Sequence, residues 1–292
     1  MAGTIRKAVF PVAGLGTRFL PATRALPKEL LPIIDRPLID YAIAEARAAG
    51  IESMIFVTGL ESNAAQLRSH LNLPEDRMAA LAAKSADLGR AMAAADLPPG
   101  AAQFVTQEQP LGLGHAVWCA RDLVGDEPFA VLLPDDLMDC DPSAIAQLVE
   151  AHEATGGSVV AVEDVPKKDT QRYGVIDPGA VEGRRVEVRG LVEKPRPEDS
   201  PSTLSVIGRY VLPPEIFDEL ARFERGAGGE IQLTDAMAKL IGVKPFHGLR
   251  TEGRRFDCGS KAGFIMAQIG YALKDAEIRD EILRQMETEL RV

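Results

Sequence analysis

Apolar and polar residues alternate along this chain in two spacings, which predict strands and helices in turn. Ala8 to Val12 and Ile51 to Thr58 are apolar runs with the length of buried strands. Pro37 and Gly50 bracket a predicted helix between them. Its apolar face consists of Leu38, Tyr41, Ala42, Ala46 and Ala49. The strand–helix–strand order is typical of a parallel sheet covered by helices.

The next hundred residues continue this order. The composition from Glu61 to Ala95 predicts two surface helices, and Gln103 to Gln107 a short strand. The apolar run from Pro128 to Pro134 predicts a buried strand with Asp135 and Asp136 at its end. Asp141-Pro142 is expected to cap a helix that stops near Gly156, and the sheet resumes from Ser158 to Val162.

Short β segments separated by Gly, Pro and Asp turns follow Asp164. They are Gly174 to Asp177, Arg185 to Glu193 and Leu204 to Leu212. A helix from Gln232 to Ile241 and an extended Pro245 to Leu249 come next. From Lys261 a helical repeat predicts a terminal amphipathic arm that packs on its own core or on a partner subunit. Its apolar positions are Phe264, Ile265, Ile269, Ala272, Ala276, Ile278, Ile282 and Leu283.

Composition narrows the class of protein. The 292 residues are 46% apolar and 26% charged, which is typical of a globular protein. The net charge of −10 argues against nucleic-acid and anionic-membrane partners, although a local cation cluster could still bind a nucleotide. Three scattered cysteines and four histidines predict no zinc site. With no signal peptide and no apolar run of about 20 residues, the expected location is the cytosol.

The loop after the first strand carries candidate anion-binding groups. Gly14 and Gly16 let backbone N–H groups approach an anion, and the cations Arg18 and Lys28 suit a ligand with several phosphates. A dinucleotide fingerprint would need a third glycine, but Phe19 stands there and prolines interrupt the helix. The phosphate loop of ATPases ends in Gly-Lys-Ser/Thr, and Gly16-Thr17-Arg18 does not match that sequence. Two glycines alone would fit an ordinary turn, but with the added cations that reading is the weaker one.

Three further clusters suggest chemistry, each with a plainer alternative. Gln107 with Gly112 could hold the donor–acceptor edge of a pyrimidine, or form a turn before a helix near His115. Asp135-Asp136 could hold Mg²⁺ or cap a turn. Glu193-Lys194 could bind sugar hydroxyls and a phosphate, or be a solvated strand end.

The run PVAGLGTRFLPATRALPKELLPIIDRPLI, from Pro11 to Ile39, resembles the nucleotidylyltransferase family, whose looser opening is Gly-x-Gly-Thr-Arg-Leu-x-Pro. The Ala13-Gly14 pair, the Pro-Lys-Glu-Leu-Leu-Pro segment and the later Gly-Leu-Gly-His-Ala point to its uridylyl branch. Arg24 stands where that branch would have Lys, a departure expected to be harmless on the surface. The motifs run in order from about Ile5 to about Tyr271.

The resemblance implies an α/β, Rossmann-like mixed and mostly parallel sheet flanked by helices, the nucleotide-diphospho-sugar transferase fold. It adds a smaller antiparallel sugar-side sheet and a C-terminal helical arm. Residues 1–260 would form the catalytic domain, with a nucleotide half at about 1–163 and a sugar half at about 164–260, and residues 261–292 the arm. The implied reaction joins UTP and α-D-glucose 1-phosphate, with Mg²⁺, into UDP-glucose and pyrophosphate. A homodimer or homotetramer is implied as well.

The resemblance also implies roles for particular residues. Nucleotide binding is expected from Ala13, Gly14, Gly16, Thr17, Arg18, Lys28, Gln107 and Gly112. Sugar binding is expected from the backbone at Gly174 and near Ile207, and from the side chains of Glu193 and Lys194. Catalytic roles fall to Arg18, Lys28 and Lys194, and the metal ligands are Asp135 and Asp257. Gly228 to Asp235 is assigned a structural and assembly role. His115 is expected at a helix start or in contact with a catalytic residue rather than with the substrate, and Cys258 is not expected to act as a nucleophile.

Three rival functions can be compared with this reading. A thymidylyltransferase of the same fold would differ by a base methyl and by loop sequence. A non-catalytic regulatory subunit would have no need for a pyrophosphate clamp together with a metal pair. A nicotinamide-dependent oxidoreductase fails on the missing glycine and the prolines.

Overall fold

The computed structural model of the protein describes residues 4–59, 61–72, 79, 83 and 97–289. In these ranges the strands are β1 (Lys7–Val12), β2 (Pro32–Ile33), β3 (Arg36–Pro37), β4 (Ser53–Thr58), β5 (Ala102–Thr106), β6 (Phe129–Leu132), β7 (Asp136–Asp139), β8 (Ser158–Asp164), β9 (Gly174–Glu182), β10 (Arg185–Glu193), β11 (Leu204–Leu212), β12 (Phe246–Leu249) and β13 (Arg254–Asp257). The helices there are α1 (Leu38–Ala48), α2 (Glu61–Leu71), α3 (Leu113–Cys119), α4 (Arg121–Val124), α5 (Ala144–Thr155), α6 (Ile216–Leu220), α7 (Leu233–Leu240), α8 (Lys261–Ala272) and α9 (Arg279–Glu289). Of the two surface helices predicted between Glu61 and Ala95, α2 is one; the rest of that prediction lies outside the described residues.

One sheet organises the described part of the chain. Nine of its strands lie in the order β5-β4-β1-β6-β11-β8-β12-β10-β9. Seven of these nine point in one direction, while β11 and β10 run the opposite way. The predicted mixed, mostly parallel sheet is thus confirmed, and the antiparallel strands of the sugar side continue it at one edge. Two small antiparallel sheets, β13-β7 and β2-β3, stand beside it.

Helices cover both faces because alternate residues of each strand point to opposite sides. In β1, Ala8, Phe10 and Val12 belong to one apolar cluster, together with residues of α1, α2 and α5. Val9 belongs to the cluster on the opposite face, which contains residues of α3, α6 and α7. Both faces of the central strands are therefore buried, as expected of a sheet with parallel strands.

Several predicted element boundaries differ from the structure; β9, for example, ends at Glu182 rather than at Asp177. Asp136 is the first residue of β7 and pairs with Asp257 of β13. The sequence neighbours Asp135 and Asp136 therefore lie in different local structures. The cap of α5 is Ser143 rather than Asp141-Pro142, because its hydroxyl accepts a hydrogen bond from the free N–H of Ala146.

The predicted C-terminal arm is confirmed as two helices, but its inward face is different. Helix α8 packs through Phe264, Ala267 and Tyr271 on a third apolar cluster that includes Phe256. Ile265, which was also predicted to be on the apolar face, is 58% exposed and lies on the side of α8 away from this cluster. None of the helices that the structure describes is long and apolar enough to cross a membrane. The division of the catalytic domain into two halves at about residue 163, and the boundary between this domain and the arm at residue 260, stay predictions. Strands from both halves belong to one sheet.

Candidate active site

The glycine loop after β1 folds over Lys28. Gly16 has a φ of +61°, a left-handed conformation that glycine adopts without steric cost. Its carbonyl accepts a hydrogen bond from Thr23 Oγ1 at 2.8 Å. A Cβ on Gly14 would lie 3.3 Å from Lys28 Cε. The two glycines therefore give the lysine room to lie beneath the backbone at the carboxyl end of β1.

A first cavity of about 470 Å³ opens over this loop. Of the eight residues predicted to bind the nucleotide, six line it: Ala13, Gly14, Arg18, Lys28, Gln107 and Gly112. The other two, Gly16 and Thr17, are not among the lining residues. Gly16 instead shapes the loop, and Thr17 begins the short 3₁₀ turn that carries Arg18.

Gln107 and Gly112 form the far wall of this cavity. Gln107 follows β5 and is 6% exposed, and its Nε2 lies 3.0 Å from the carbonyl of Gly112. Gly112 has a φ of +113°, and a Cβ there would lie 2.8 Å from both Glu230 Cβ and Ile231 O. Glycine is therefore required for this close packing. These two neighbours, Glu230 and Ile231, belong to the Gly228 to Asp235 segment, whose structural and assembly role stays a prediction, and Glu230 also lines the cavity.

A second cavity of about 460 Å³ lies beside the first. Of the predicted sugar-side and metal residues, Gly174, Glu193, Lys194, Asp135 and Asp257 line it. The two cavities share Arg18, Leu113, Leu133, Asp135 and Glu230 as walls. A ligand in one cavity therefore meets a ligand in the other at Arg18 and Asp135.

Ile207 does not line either of these cavities. Its neighbours Val206 and Gly208 line the second one, whereas Ile207 lines a smaller, separate cavity with Met138 and Arg250. The reason is the alternation of β11, in which neighbouring side chains point to opposite faces. Any contact between this strand and a ligand therefore comes from Val206 and Gly208.

Asp135 lies among cations where the cavities meet. Lys28 Nζ is 2.5 Å from its Oδ2. Burial favours the neutral carboxylic acid, but Lys28 and Arg18 favour the carboxylate and lower the pKa of Asp135 below its ordinary value. The neighbouring Asp136 shows the opposite balance, since burial raises its pKa despite the ion pair with Arg255. The pKa values of these two neighbouring acids are therefore shifted in opposite directions.

Glu29 lies below Lys28 and is 1% exposed. Neither of its carboxylate oxygens has a hydrogen-bond partner among the described residues. Burial raises the pKa of Glu29 from 4.5 to about 7, even though Lys28 Nζ lies 3.7 Å away. Lys28 itself has a raised pKa, because Asp135 and Glu29 outweigh its burial. The lysine is thus a permanent cation between two acids.

The positions of Asp135 and Asp257 fit a divalent cation. A Cβ on Gly259 would lie 3.1 Å from Asp135 Oδ2 and 3.1 Å from Asp257 Oδ1, so both carboxylates approach the space that this glycine leaves open. Hard cations such as Mg²⁺ take oxygen ligands, and water or phosphate oxygens usually complete the set. No group of three or more possible protein ligands occurs in the described residues, so this site would need ligands from substrate or water.

Several lining residues were missed by the sequence analysis. Arg172 Nη2 lies 2.7 Å from Asp257 Oδ2, and Arg255 Nε lies 2.6 Å from Asp136 Oδ1. Arg255 stands two residues before Asp257 in β13, so a strand leading to a metal ligand was the available signal. Arg172 likewise stands two residues before Gly174, and Glu230 lies within the Gly228 to Asp235 segment, so their neighbours in sequence were the available signal.

The arrangement can bind two ligands that meet at a charged boundary. The first cavity has a glycine-lined loop, two cations and an amide, which fit a base and a chain of phosphates. The second has Glu193 beside Lys194, with 3.0 Å between Oε1 and Nζ, which suits hydroxyl groups and a single phosphate. This geometry is suited to transfer of a phosphate-bearing group between the two.

Comparison with known proteins agrees with this geometry. Residues 7–270 match the nucleotidyl transferase family. A UTP–glucose-1-phosphate uridylyltransferase from Komagataeibacter xylinus is 52% identical over 89% of this chain and 92% of its own, and one from Bacillus subtilis is 46% identical over 97% and 96%. The solved UTP-bound UDP-glucose pyrophosphorylase from Acinetobacter baumannii is 39% identical, covers 97% of this chain and 98% of its own, and has a TM-score of 0.85. The chain therefore belongs to the nucleotidyl transferase family, and within it to the UTP–glucose-1-phosphate uridylyltransferases.

Proposed function

We propose that this enzyme joins UTP and α-D-glucose 1-phosphate to form UDP-glucose and pyrophosphate. One observation carries the proposal: a nucleotide-sized cavity and a polar second cavity share Arg18 and Asp135 as walls. The names of the similar proteins support the substrates, since one solved structure contains UTP and another, 40% identical with a TM-score of 0.83, contains UDP-glucose.

In this proposal the first cavity holds UTP. Gln107 and the backbone of Ala13, Gly14 and Gly112 hold uracil, because together they offer amide donors and acceptors against a flat ring. Gly16 and Thr17 shape the turn that brings Arg18 to the phosphates. Lys28 and Arg18 bind the β- and γ-phosphates and stabilise the pyrophosphate as it leaves.

The second cavity then holds glucose 1-phosphate. Glu193 accepts hydrogen bonds from two neighbouring hydroxyls, and Lys194 binds the sugar phosphate. Gly174 leaves space next to Glu193, since a Cβ there would lie 3.2 Å from Glu193 Oε2. The contact first assigned to Ile207 is taken over by the β11 residues on either side of it.

The chemistry needs placement more than proton transfer. A non-bridging oxygen of the sugar phosphate attacks the α-phosphorus of UTP, an O–P bond forms, and the bond to the pyrophosphate oxygen breaks. The nucleophile is already an anion at neutral pH, so the chain supplies no general base. Lys194 orients that oxygen, while Arg18 and Lys28 bind the growing negative charge on the departing pyrophosphate.

The family implies a divalent metal cofactor, and we propose Mg²⁺ held by Asp135 and Asp257. Bound there, the ion would supply charge neutralisation at the α-phosphate. The lowered pKa of Asp135 supports the proposal, because a metal ligand must be ionised. Asp135 and Asp257 would each have to exchange a cationic side chain for the metal, Lys28 in the first case and Arg172 in the second.

The test is pyrophosphate release from purified protein with glucose 1-phosphate and either UTP or dTTP, with and without EDTA. UTP-selective release that EDTA abolishes is the expected result. Preference for dTTP would move the assignment to the thymidylyltransferases; one such solved structure, from Bacillus anthracis, shares the fold at 22% identity and a TM-score of 0.70. Release with neither nucleotide would favour a regulatory subunit.

A pair of variants tests the metal ligand. Asp135→Asn should abolish turnover and keep the fold, because the amide cannot replace an anionic ligand. Asp139→Asn is the matched control: Asp139 belongs to β7, lines neither cavity and pairs with Lys274. Near-normal activity of Asp135→Asn would refute the assignment.

We also propose a homo-oligomer, a dimer or tetramer, assembled through the C-terminal helices. Ile265, Met266, Leu283 and Met286 of these helices are each at least 36% exposed, which leaves apolar surface for a second copy. Light scattering after size exclusion tests this, and a monomer at micromolar concentration would refute it. The cytosolic location stays a prediction, to be tested by cell fractionation.

A further inference from the structure

Both hydrogens of the Gln107 amide are already used. Its Nε2 lies 3.0 Å from Gly112 O and 3.0 Å from His115 Nδ1. The carbonyl of Gly112 can only accept, and helix α3 fixes it in place, since Ala116 N also donates to it at 3.1 Å. The nitrogen of the amide must therefore face the helix, because an oxygen there would face another oxygen.

His115 supplies the second acceptor as a neutral ring. Its Nδ1 accepts from Gln107, so the ring proton belongs on Nε2, which points to Cys119 Sγ at 3.9 Å. Burial lowers the pKa of His115, which keeps the ring neutral near pH 7. Trp118 and Phe223, whose rings pack on each other with centroids 4.6 Å apart, lie next to the His115 ring with centroids 6.0 and 5.9 Å away. The acceptor is thus fixed in position as well as in protonation state.

This arrangement leaves the amide oxygen, Oε1, as the group that Gln107 can offer to a base in the first cavity. Oε1 has no partner among the hydrogen bonds of the described residues, and Gln107 lines that cavity. Uracil presents a donor, N3–H, at the middle of its pairing edge, whereas cytosine presents an unprotonated N3 there. An acceptor facing N3 therefore stabilises uracil and repels cytosine.

We propose that His115 is a positioning residue for base selection: by accepting one hydrogen of the Gln107 amide it holds Oε1 towards the base and favours UTP over CTP. The inference rests on the proposed function, because it takes the first cavity as the base-binding site. His115 touches no substrate in this scheme and acts through Gln107 alone. Without it, Gly112 O is the one remaining acceptor for the amide, so the orientation that presents Oε1 is favoured less strongly and the discrimination against cytosine falls.

The experiment compares three proteins with the wild type. His115→Leu removes the acceptor, while His115→Asn restores an acceptor oxygen close to the place of Nδ1. His152→Leu is the matched control, because His152 is also buried and also uses Nδ1 for a hydrogen bond, to Gly157 O at 2.7 Å, but lines neither cavity. Calorimetry gives the dissociation constants of UTP and CTP, and pyrophosphate release gives kcat and KM for each.

His115→Leu should lower the UTP-to-CTP preference by roughly 3- to 10-fold, the worth of one hydrogen bond. The change should fall on KM and on the dissociation constants rather than on kcat for UTP. His115→Asn should recover most of the preference, and His152→Leu should leave it unchanged. If His115→Leu does not fold, His115→Gln takes its place, because its longer side chain puts no acceptor at the Nδ1 position.

An unchanged UTP-to-CTP ratio in folded His115→Leu, or equal effects of Leu and Asn at this position, would overturn the inference. A loss of stability alone would not change this ratio. The proposed function fails separately, as absence of pyrophosphate release by the wild type. In that case the binding ratio still tests the role of His115, and a wild type that binds UTP no better than CTP would overturn it too.

Discussion

Removal of Arg209 should destabilise this protein more than most single substitutions. Arg209 in β11 and Glu45 in α1 form an ion pair whose side chains are 1% and 6% exposed. The guanidinium donates from Nε to Oε1 at 2.9 Å and from Nη2 to Oε2 at 2.7 Å. Its third nitrogen donates to Leu133 O at 2.8 Å, two residues before Asp135. The pair therefore joins a helix, the sheet and the loop that carries Asp135.

The size of the effect follows from what remains buried. Arg209→Met strips Glu45 of two charge-assisted hydrogen bonds and leaves it one backbone partner, Ile145 N at 3.0 Å. A buried charge that loses its partner costs about 3–5 kcal/mol. Glu45→Met should cost a similar amount, because it leaves the guanidinium unpaired. The double variant should regain most of the loss, since apolar side chains can fill the same space without desolvating charges.

Equilibrium unfolding in urea, followed by circular dichroism, measures all three variants. Arg196→Met is the control: its ion pair with Asp199 has side chains 74% and 54% exposed, so the loss should stay below about 1 kcal/mol. A loss below about 1 kcal/mol for Arg209→Met would refute the reasoning. So would a double variant whose destabilisation equals the sum of the single ones, because the two side chains would then act independently.

Three other variants test the site. The pKa of Glu29 is about 7, above the ordinary 4.5, so the stability that its protonated form contributes is fully present below pH 4.5 and lost as the pH rises through 7. The free energy of unfolding of Glu29→Gln in urea, relative to that of the wild type, should therefore rise by roughly 3 kcal/mol between pH 4.5 and pH 8. A difference between the two proteins that does not change with pH would contradict the raised pKa of Glu29. Gly112→Ala should cost at least about 1 kcal/mol more than Gly100→Ala and weaken UTP binding, because both have positive φ but Gly100 has open space around it; equal losses would refute the close packing. Arg172→Met frees Asp257, so Mn²⁺ binding by the nucleotide-free protein, followed by electron paramagnetic resonance, should tighten by roughly 2- to 5-fold, and unchanged affinity would argue against Asp257 as a ligand.

Local patterns were sufficient for the elements but not for their order in the sheet. The run from Ala8 to Val12 is a buried strand because β4 and β6 flank it and helices cover both of its faces. Nothing in that run states which strands those are. Strand β11 lies between β6 and β8, although it follows both in sequence. Such a placement depends on packing between distant segments, which the spacing of apolar residues in one segment does not encode.

The same limit explains the outcome at the site. The glycine loop, Gln107 and Asp135 were predicted because each belongs to a short motif. A backbone contact near Ile207 was predicted, and the neighbours Val206 and Gly208 line the second cavity, but all nine residues of β11 are buried, so apolar spacing does not indicate which face each side chain occupies. Arg172 was missed because it approaches Asp257 from 85 residues away.

The charges of the two cavities explain how an acidic protein can bind a triphosphate. Their walls carry five cations, Arg18, Lys28, Arg172, Lys194 and Arg255, and five acids, Asp135, Asp136, Glu193, Glu230 and Asp257. Four of these acids form ion pairs with four of these cations.

In the proposed reaction, phosphate oxygens replace carboxylates as partners of Lys28, and this exchange releases Asp135. A released carboxylate can hold a divalent cation, whose charge in turn favours the phosphates. Binding of nucleotide and binding of metal must then strengthen each other by the same factor, because the coupling between two sites is reciprocal. The ion pairs of the ligand-free site are therefore what makes the two binding events depend on one another.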